Sequence, residues 1–123
     1  MENDIAVNEN PVAAKSFEFA VRIVNAYKHL CREHKEFVLS KQLLRCGTSI
    51  GANVAEAQRG QSKADFYAKM SIALKEANET QYWLRLLYRT EYLSQAQYES
   101  LTNDLSQLLG LLMSICKTVS LSK

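Results

Sequence analysis

Four basic side chains carry the clearest chemistry in this chain. Lys41 and Arg45 fall on the polar side of a helix read through residues 39–58, Arg59 continues that side just past its end, and Lys63 follows shortly after. Side chains of this kind engage phosphate groups with salt-dependent, largely sequence-blind affinity. Between them stand Ser49, Asn53 and Glu56, a polar set with a second reading. Arg45, Asn53 and Glu56 would form hydrogen bonds and an ion pair that fix register between helices or subunits. Tyr67 is a candidate to stack on bases, whereas its neighbour Phe66 falls on a core stripe.

Other candidates fail on spacing or on face. His29 and His34 are five residues apart, and a metal pair on one helical face needs three or four. Glu56 and Glu76 suggest a carboxylate di-metal site, but such a site needs Glu-x-x-His pairs, and Ala26 and Cys31 stand three residues before the two histidines. Cys46 beside Arg45 would gain thiolate character from the charge, but it projects to the apolar side of its helix. No Ser-His-Asp ordering, HExxH motif or phosphate-cradling glycine loop occurs. The expectation is a non-catalytic protein with no metal and no cofactor.

The elements that position these residues are helices. Leu39, Leu43, Cys46, Ile50, Val54 and Ala57 recur on one side at about 100° per residue. Gly47, Gly51, Ala52 and Ala55 leave thin flanks that another helix can approach. Upstream, Pro11 suits a first helical turn. The first helix, ending near Glu33 or His34, carries two apolar stripes: Phe17, Ala20, Val24, Tyr27 and Cys31, and beside it Phe19, Ile23, Ala26 and Leu30. A third helix spans about Lys63 to Arg89, capped by Ser62 with Asp65, with a core stripe of Phe66, Met70, Ala73, Ala77, Leu84 and Leu87. Gly60 in the preceding connection suits the left-handed conformation. Ser94 with Gln97 forms a capping box for a fourth helix, to about Lys117, whose seam of Leu101, Leu105, Leu108, Leu112, Ile115 and Val119 is widened by Leu109, Leu111 and Met113. A helix so apolar is expected to be buried on most sides. Short connections favour antiparallel neighbours, so the chain reads as an all-α, up-down-up-down four-helix bundle. The expected organisation is a tail over residues 1–10, a single bundle domain over 11–119 and a short tail over 120–123.

Composition agrees. Hydrophobic residues make up 47% of the 123, enough for one core, and four glycines with one proline disfavour a turn-rich β fold. Net charge is +2, but Lys28 to Lys63 holds seven basic residues against three acidic ones, a local +4 that admits an anionic partner. Three cysteines without close pairing read as free thiols in a reducing compartment. An acidic N-terminus unlike a signal peptide, and no apolar run near the roughly 20 residues of a membrane span, point to a cytoplasmic protein.

The apolar surface exceeds what one bundle seam covers. Ile72, Trp83 and Leu86 form a patch away from the third helix's core stripe, and are candidates for contact with other copies of the chain. The competing reading is a protein–protein adaptor without nucleic-acid binding, contacting its partner through the Trp83 patch and the thin flanks of the second helix.

The segment Leu39-Ser-Lys-Gln-Leu-Leu-Arg-Cys-Gly-Thr-Ser-Ile-Gly-Ala-Asn-Val-Ala-Glu-Ala resembles the S-I-x-A-N-[IV]-A-E signature of a family of small four-helix bundles. That family includes proteins encoded in intervening sequences of bacterial 23S ribosomal RNA genes and the accessory variability determinant of diversity-generating retroelements. The stretch Ser71-Ile-Ala-Leu-Lys-Glu-Ala-Asn-Glu-Thr-Gln-Tyr-Trp-Leu-Arg-Leu-Leu is similar to the family's third helix, and the likeness covers roughly Phe17 to Val119. The resemblance implies a homopentamer and a non-enzymatic role, with RNA or DNA binding and association with a reverse transcriptase in the retroelement branch. The residues matching the motif are Arg45, Ser49, Ile50, Ala52, Asn53, Ala55 and Glu56. Gly51 stands where many relatives have proline and Ala57 where many have glycine, which implies a straighter second helix that continues past the motif.

Overall fold

The computed structural model describes residues 10–121, and the expected tail residues 1–9 and 122–123 lie outside the described residues. Helices α1 (Pro11–His34), α2 (Leu39–Ala57), α3 (Lys63–Arg89) and α4 (Gln95–Leu121) follow in chain order. Each packs against its sequence neighbours, α4 returns to α1, and no diagonal pair meets. That contact pattern is an antiparallel four-helix bundle. No helix among the described residues is long and apolar enough to cross a membrane.

The helix ends follow from local chemistry. Pro11 opens α1. At its other end Lys35 adopts the left-handed conformation, φ 54°, while the Glu36 N–H donates back to Leu30 O at 3.2 Å. The Glu36 carboxylate then caps α2, accepting from the N–H groups of Val38 (3.1 Å), Leu39 (3.0 Å) and Ser40 (2.7 Å). Burial alone would push this carboxyl's pKa up, but those hydrogen bonds outweigh it and hold the pKa below its ordinary value. The Ser62 hydroxyl accepts from Asp65 N–H at the start of α3. At the start of α4, Ser94 and Gln97 close the capping box, with Gln97 N–H to Ser94 Oγ at 3.1 Å and Ser94 N–H to Gln97 Oε1 at 2.8 Å.

Several expectations change on contact with the structure. Gly60 is not left-handed; among the described residues only Lys35 and Glu91 have positive φ. Its need for glycine is room, because a Cβ there would lie 3.2 Å from Ala57 O and from the Phe66 nitrogen. On α1 the inward stripe is Phe19, Ile23 and Leu30; of the parallel stripe, Phe17 is 65% exposed and Ala20, Val24, Tyr27 and Cys31 are half-buried. The thin flank of α2 is filled from within the chain: a Cβ on Gly47 would come 2.8 Å from Ile23 Cγ1, and one on Gly51 3.1 Å from Ser16 O. On α4, Met113 is 58% exposed although the helix is apolar on most sides, because two neighbours cover only part of its circumference. The same helix continues past Lys117 to Leu121. α2 runs unbroken through Gly51 and ends at Ala57.

Candidate nucleic-acid interface

The polar motif of α2 faces α3. Arg45 Nη1 lies 3.3 Å from Glu76 Oε1, and Arg45 Nη2 pairs with Glu79 Oε2. Burial works against the Arg45 charge, but the Glu79 and Glu76 carboxylates outweigh it and raise the pKa of the guanidinium further. About three turns further along α2, Glu56 Oε1 accepts from Lys69 Nζ at 3.0 Å. Asn53 Nδ2 donates within α2, to Ser49 O at 2.9 Å and to Ser49 Oγ at 3.1 Å. The motif therefore meets α3 at two ion-pair sites, with Asn53 and Ser49 bonding locally. Arg45 and Glu56 do not pair with each other.

The Glu79 carboxylate also joins two residues that the sequence assigned to separate surfaces. Its Oε2 accepts from Trp83 Nε1 at 3.1 Å as well as from Arg45. Trp83 is half-buried, its indole N–H satisfied inside the subunit, and Leu86 is half-buried beside it, while Ile72 is exposed. Cys46 lies beneath this network, buried, and burial pushes its thiol pKa up, away from thiolate chemistry. His29 and His34 pack edge-to-face at 5.6 Å, and no group of three or more potential metal ligands occurs among the described residues.

The remaining candidate cations are dispersed. Lys41 sits in the first turn of α2 and Arg59 just past its last, so about 25 Å of helix separates them. Both are exposed and neither makes an ion pair among the described residues. Lys63 opens α3 next to Arg59, and Tyr67 follows one turn later, 40% exposed. Arg59, Lys63 and Tyr67 thus share one end of the bundle, and Lys41 belongs to the other.

A charge division across α3 was not anticipated from the sequence. Two of its three carboxylates, Glu76 and Glu79, turn toward α2, where both pair with Arg45, and the third, Asp65, lies in its first turn. The outward side, read at three- and four-residue steps, is Lys75, Asn78, Tyr82, Arg85 and Arg89, all exposed and without an acid among them. Tyr82 is 59% exposed, with its ring edge-on to Trp83 at 5.1 Å. A shallow groove of about 290 Å³ is lined by Tyr82, Arg85, Leu86 and Arg89. Its signal in the sequence is an acid-free 75–78–82–85–89 repeat, fainter than the core stripe and the apolar patch on the same helix.

The arrangement has known counterparts. Residues 8–114 match the family described as 23S rRNA-intervening sequence protein. A crystal structure of a protein with unknown function from the S23 ribosomal protein family of Bacteroides thetaiotaomicron VPI-5482 is similar, with 64% sequence identity over 86% of this chain and 98% of that one, and a TM-score of 0.85. No curated protein matches the chain. The bundle, the α2 motif and the match along most of the sequence agree, and the chain belongs to the 23S rRNA-intervening sequence protein family.

Proposed function

We propose that this protein is a non-catalytic, self-associating bundle that binds the phosphate backbone of RNA or DNA. The observation that carries the reading is the division of charge: Glu76 and Glu79 of α3 pair with Arg45, whereas Arg59, Lys41, Arg85 and Arg89 face solvent with no carboxylate partner among the described residues. Arg45 serves the α2–α3 register and contributes little to a phosphate contact. Single cations on one subunit bind weakly, and repetition around an assembly multiplies them.

Self-association is supported by exposed apolar side chains on α1. Phe17 and Val21 stand 65% and 40% exposed, and Ala52 and Ala55 of α2 are exposed as well. This face is more apolar and less internally engaged than the Trp83 patch, so it is the better contact between copies. Five copies is the number the family resemblance implies, and mass measurement in solution tests it.

Anisotropy titrations with unrelated RNA and DNA at several salt concentrations test the binding. Affinity should fall steeply with salt. Arg59→Glu should weaken it and reduce the salt slope by roughly 0.7–0.9 for each phosphate no longer neutralised. Salt-insensitive binding unaffected by charge reversal at Arg59 and Lys41 would overturn the reading.

A further inference from the structure

The geometry points to the outward side of α3 as a track for single-stranded nucleic acid, with Tyr82 and Tyr67 as stacking platforms and Lys75, Arg85 and Arg89 as phosphate contacts. The inference rests on the nucleic-acid reading above and adds the strand type and the residues. Three features of the face support it together. Its cations Lys75, Arg85 and Arg89 make no ion pair among the described residues, while Glu76 and Glu79 of the same helix pair with Arg45 on α2. Its aromatic rings are exposed, Tyr82 at 59% and Tyr67 at 40%. The two tyrosines lie fifteen residues apart on one rigid helix, about 22 Å, a spacing that an extended strand can bridge.

A structural reading of the same residues explains less. Arg89 lies in the last turn of α3, where a cation complements the helix dipole. That argument covers neither Lys75, in mid-helix, nor the exposure of Tyr82. Nor is Tyr82 required by the core, since it is 59% exposed and its ring meets Trp83 edge-on. The groove beside it is floored by Leu86 and flanked by Arg85 and Arg89, four residues apart on one side of the helix. A base on the Tyr82 ring would therefore have guanidinium groups within reach of its flanking phosphates. Duplex nucleic acid hides its base faces and gains nothing from the rings, so the arrangement selects for unpaired strands.

Trp83 supplies a reporter. It is the only tryptophan in the chain and touches Tyr82, so stacking on Tyr82 should change its emission. The full chain is titrated with a single-stranded oligothymidylate, an oligouridylate and a mixed-sequence duplex of equal length, following anisotropy and Trp83 fluorescence. Single strands should bind more tightly than duplex and alter Trp83 emission. Tyr82→Ala should weaken single-strand binding about tenfold and leave duplex binding unchanged, while Tyr82→Phe keeps the ring and the affinity. Arg85→Glu with Arg89→Glu should weaken binding of both strand types. If Tyr82→Ala and the double reversal bind as the parent does while Arg59→Glu is impaired, the track is wrong and the wider nucleic-acid reading survives. If neither strand type binds, both readings fall. A drop in assembly mass on Tyr82→Ala would overturn the track by making this face a contact between copies.

Discussion

The contacts that α2 makes and the contact that closes the bundle between α1 and α4 hold helices together in different ways. Along α2 the backbones are close. Gly47 admits the buried Ile23 side chain and Gly51 admits the backbone of Ser16, so α1 lies against α2 with no room for a methyl group. Between α1 and α4 the helices touch least of any neighbouring pair. There long polar side chains reach across. Arg22 Nη1 donates to Asp104 Oδ2 at 2.7 Å and to Ser100 O at 3.1 Å, Arg22 Nη2 to Ser100 Oγ at 2.8 Å, and Lys15 Nζ to Gln107 Oε1 at 3.4 Å. Grooves of about 310 and 230 Å³ run along this seam. The lesson is that one side is held by shape, where errors of a single carbon matter, and the other by partly solvated hydrogen bonds, each worth about 1 kcal/mol or less.

The most severe way to break the tight side is Gly47→Val. The first added carbon alone would sit 2.8 Å from Ile23 Cγ1 and 2.9 Å from Ile23 Cγ2, and Ile23 is fully buried. Overpacking should cost about 3 kcal/mol, visible as a fall in melting temperature of roughly 10 °C. Combining it with Ile23→Ala should recover part of the loss, because the two changes share one space. An additive double variant would show that the close approach is not the cause.

A smaller loss is expected at the corner joining α1 to α2. Glu36→Ala strips three backbone N–H groups of their acceptor and should cost about 1–2 kcal/mol in chemical denaturation. The same carboxylate gives a pH dependence of known sign. Its folded pKa lies below the unfolded value, so its stabilisation is complete above the unfolded pKa of about 4.3 and is lost as pH falls through the lower, folded one. Glu36→Ala should therefore flatten the acid limb of the stability profile. An unchanged acid limb would assign that limb to other carboxylates.

How much of this was legible in the sequence depended on whether the deciding interaction was local. The start and end of α3, the Ser62 cap and the Ser94–Gln97 box are set by neighbours within a turn, and they were readable. The inward stripe of α2 was readable too, because only one of its faces is apolar. On α1 two apolar stripes share the same period, so periodicity could not say that Phe19 and Ile23 face inward and Phe17 outward. That choice is made by Gly47 on another helix. Arg45 is a similar case. Its place on the polar side of α2 was evident, but its partners Glu76 and Glu79 lie on α3, and an antiparallel register had to be known before they could be matched to it. The Glu36 cap was hidden for a different reason: a carboxylate before the first turn, rather than at the usual capping position, does the capping here.

The polar seam should respond more mildly. Arg22→Ala removes three hydrogen bonds at once, but both Arg22 and Asp104 are substantially exposed, with side chains 38% and 46% accessible. About 1 kcal/mol is expected, shrinking as salt screens the pair. Hydrogen exchange should report the change in α1 and α4 facing the seam, and leave α2 protected. Loss of protection throughout α2 would mean that the seam and the tight side open as one unit, and the contrast between them would lose its energetic content.

The gentlest test uses the glycine of α4. Gly110 is exposed, has ordinary helical φ, and a Cβ there would meet nothing within 4 Å. Gly110→Ala should therefore stabilise the protein by about 0.5–1 kcal/mol, by reducing the freedom of the unfolded chain at no cost in packing. The same substitution at Gly47 gains the same backbone benefit but forces a carbon against Ile23, and the net change should be a loss. Thermal melts of the two alanine variants, measured side by side, separate backbone entropy from close approach. Opposite signs follow if α2 is glycine-bearing because α1 needs the space. Equal gains would show that Ile23 can move aside, and that the tight side of the bundle is softer than its geometry implies.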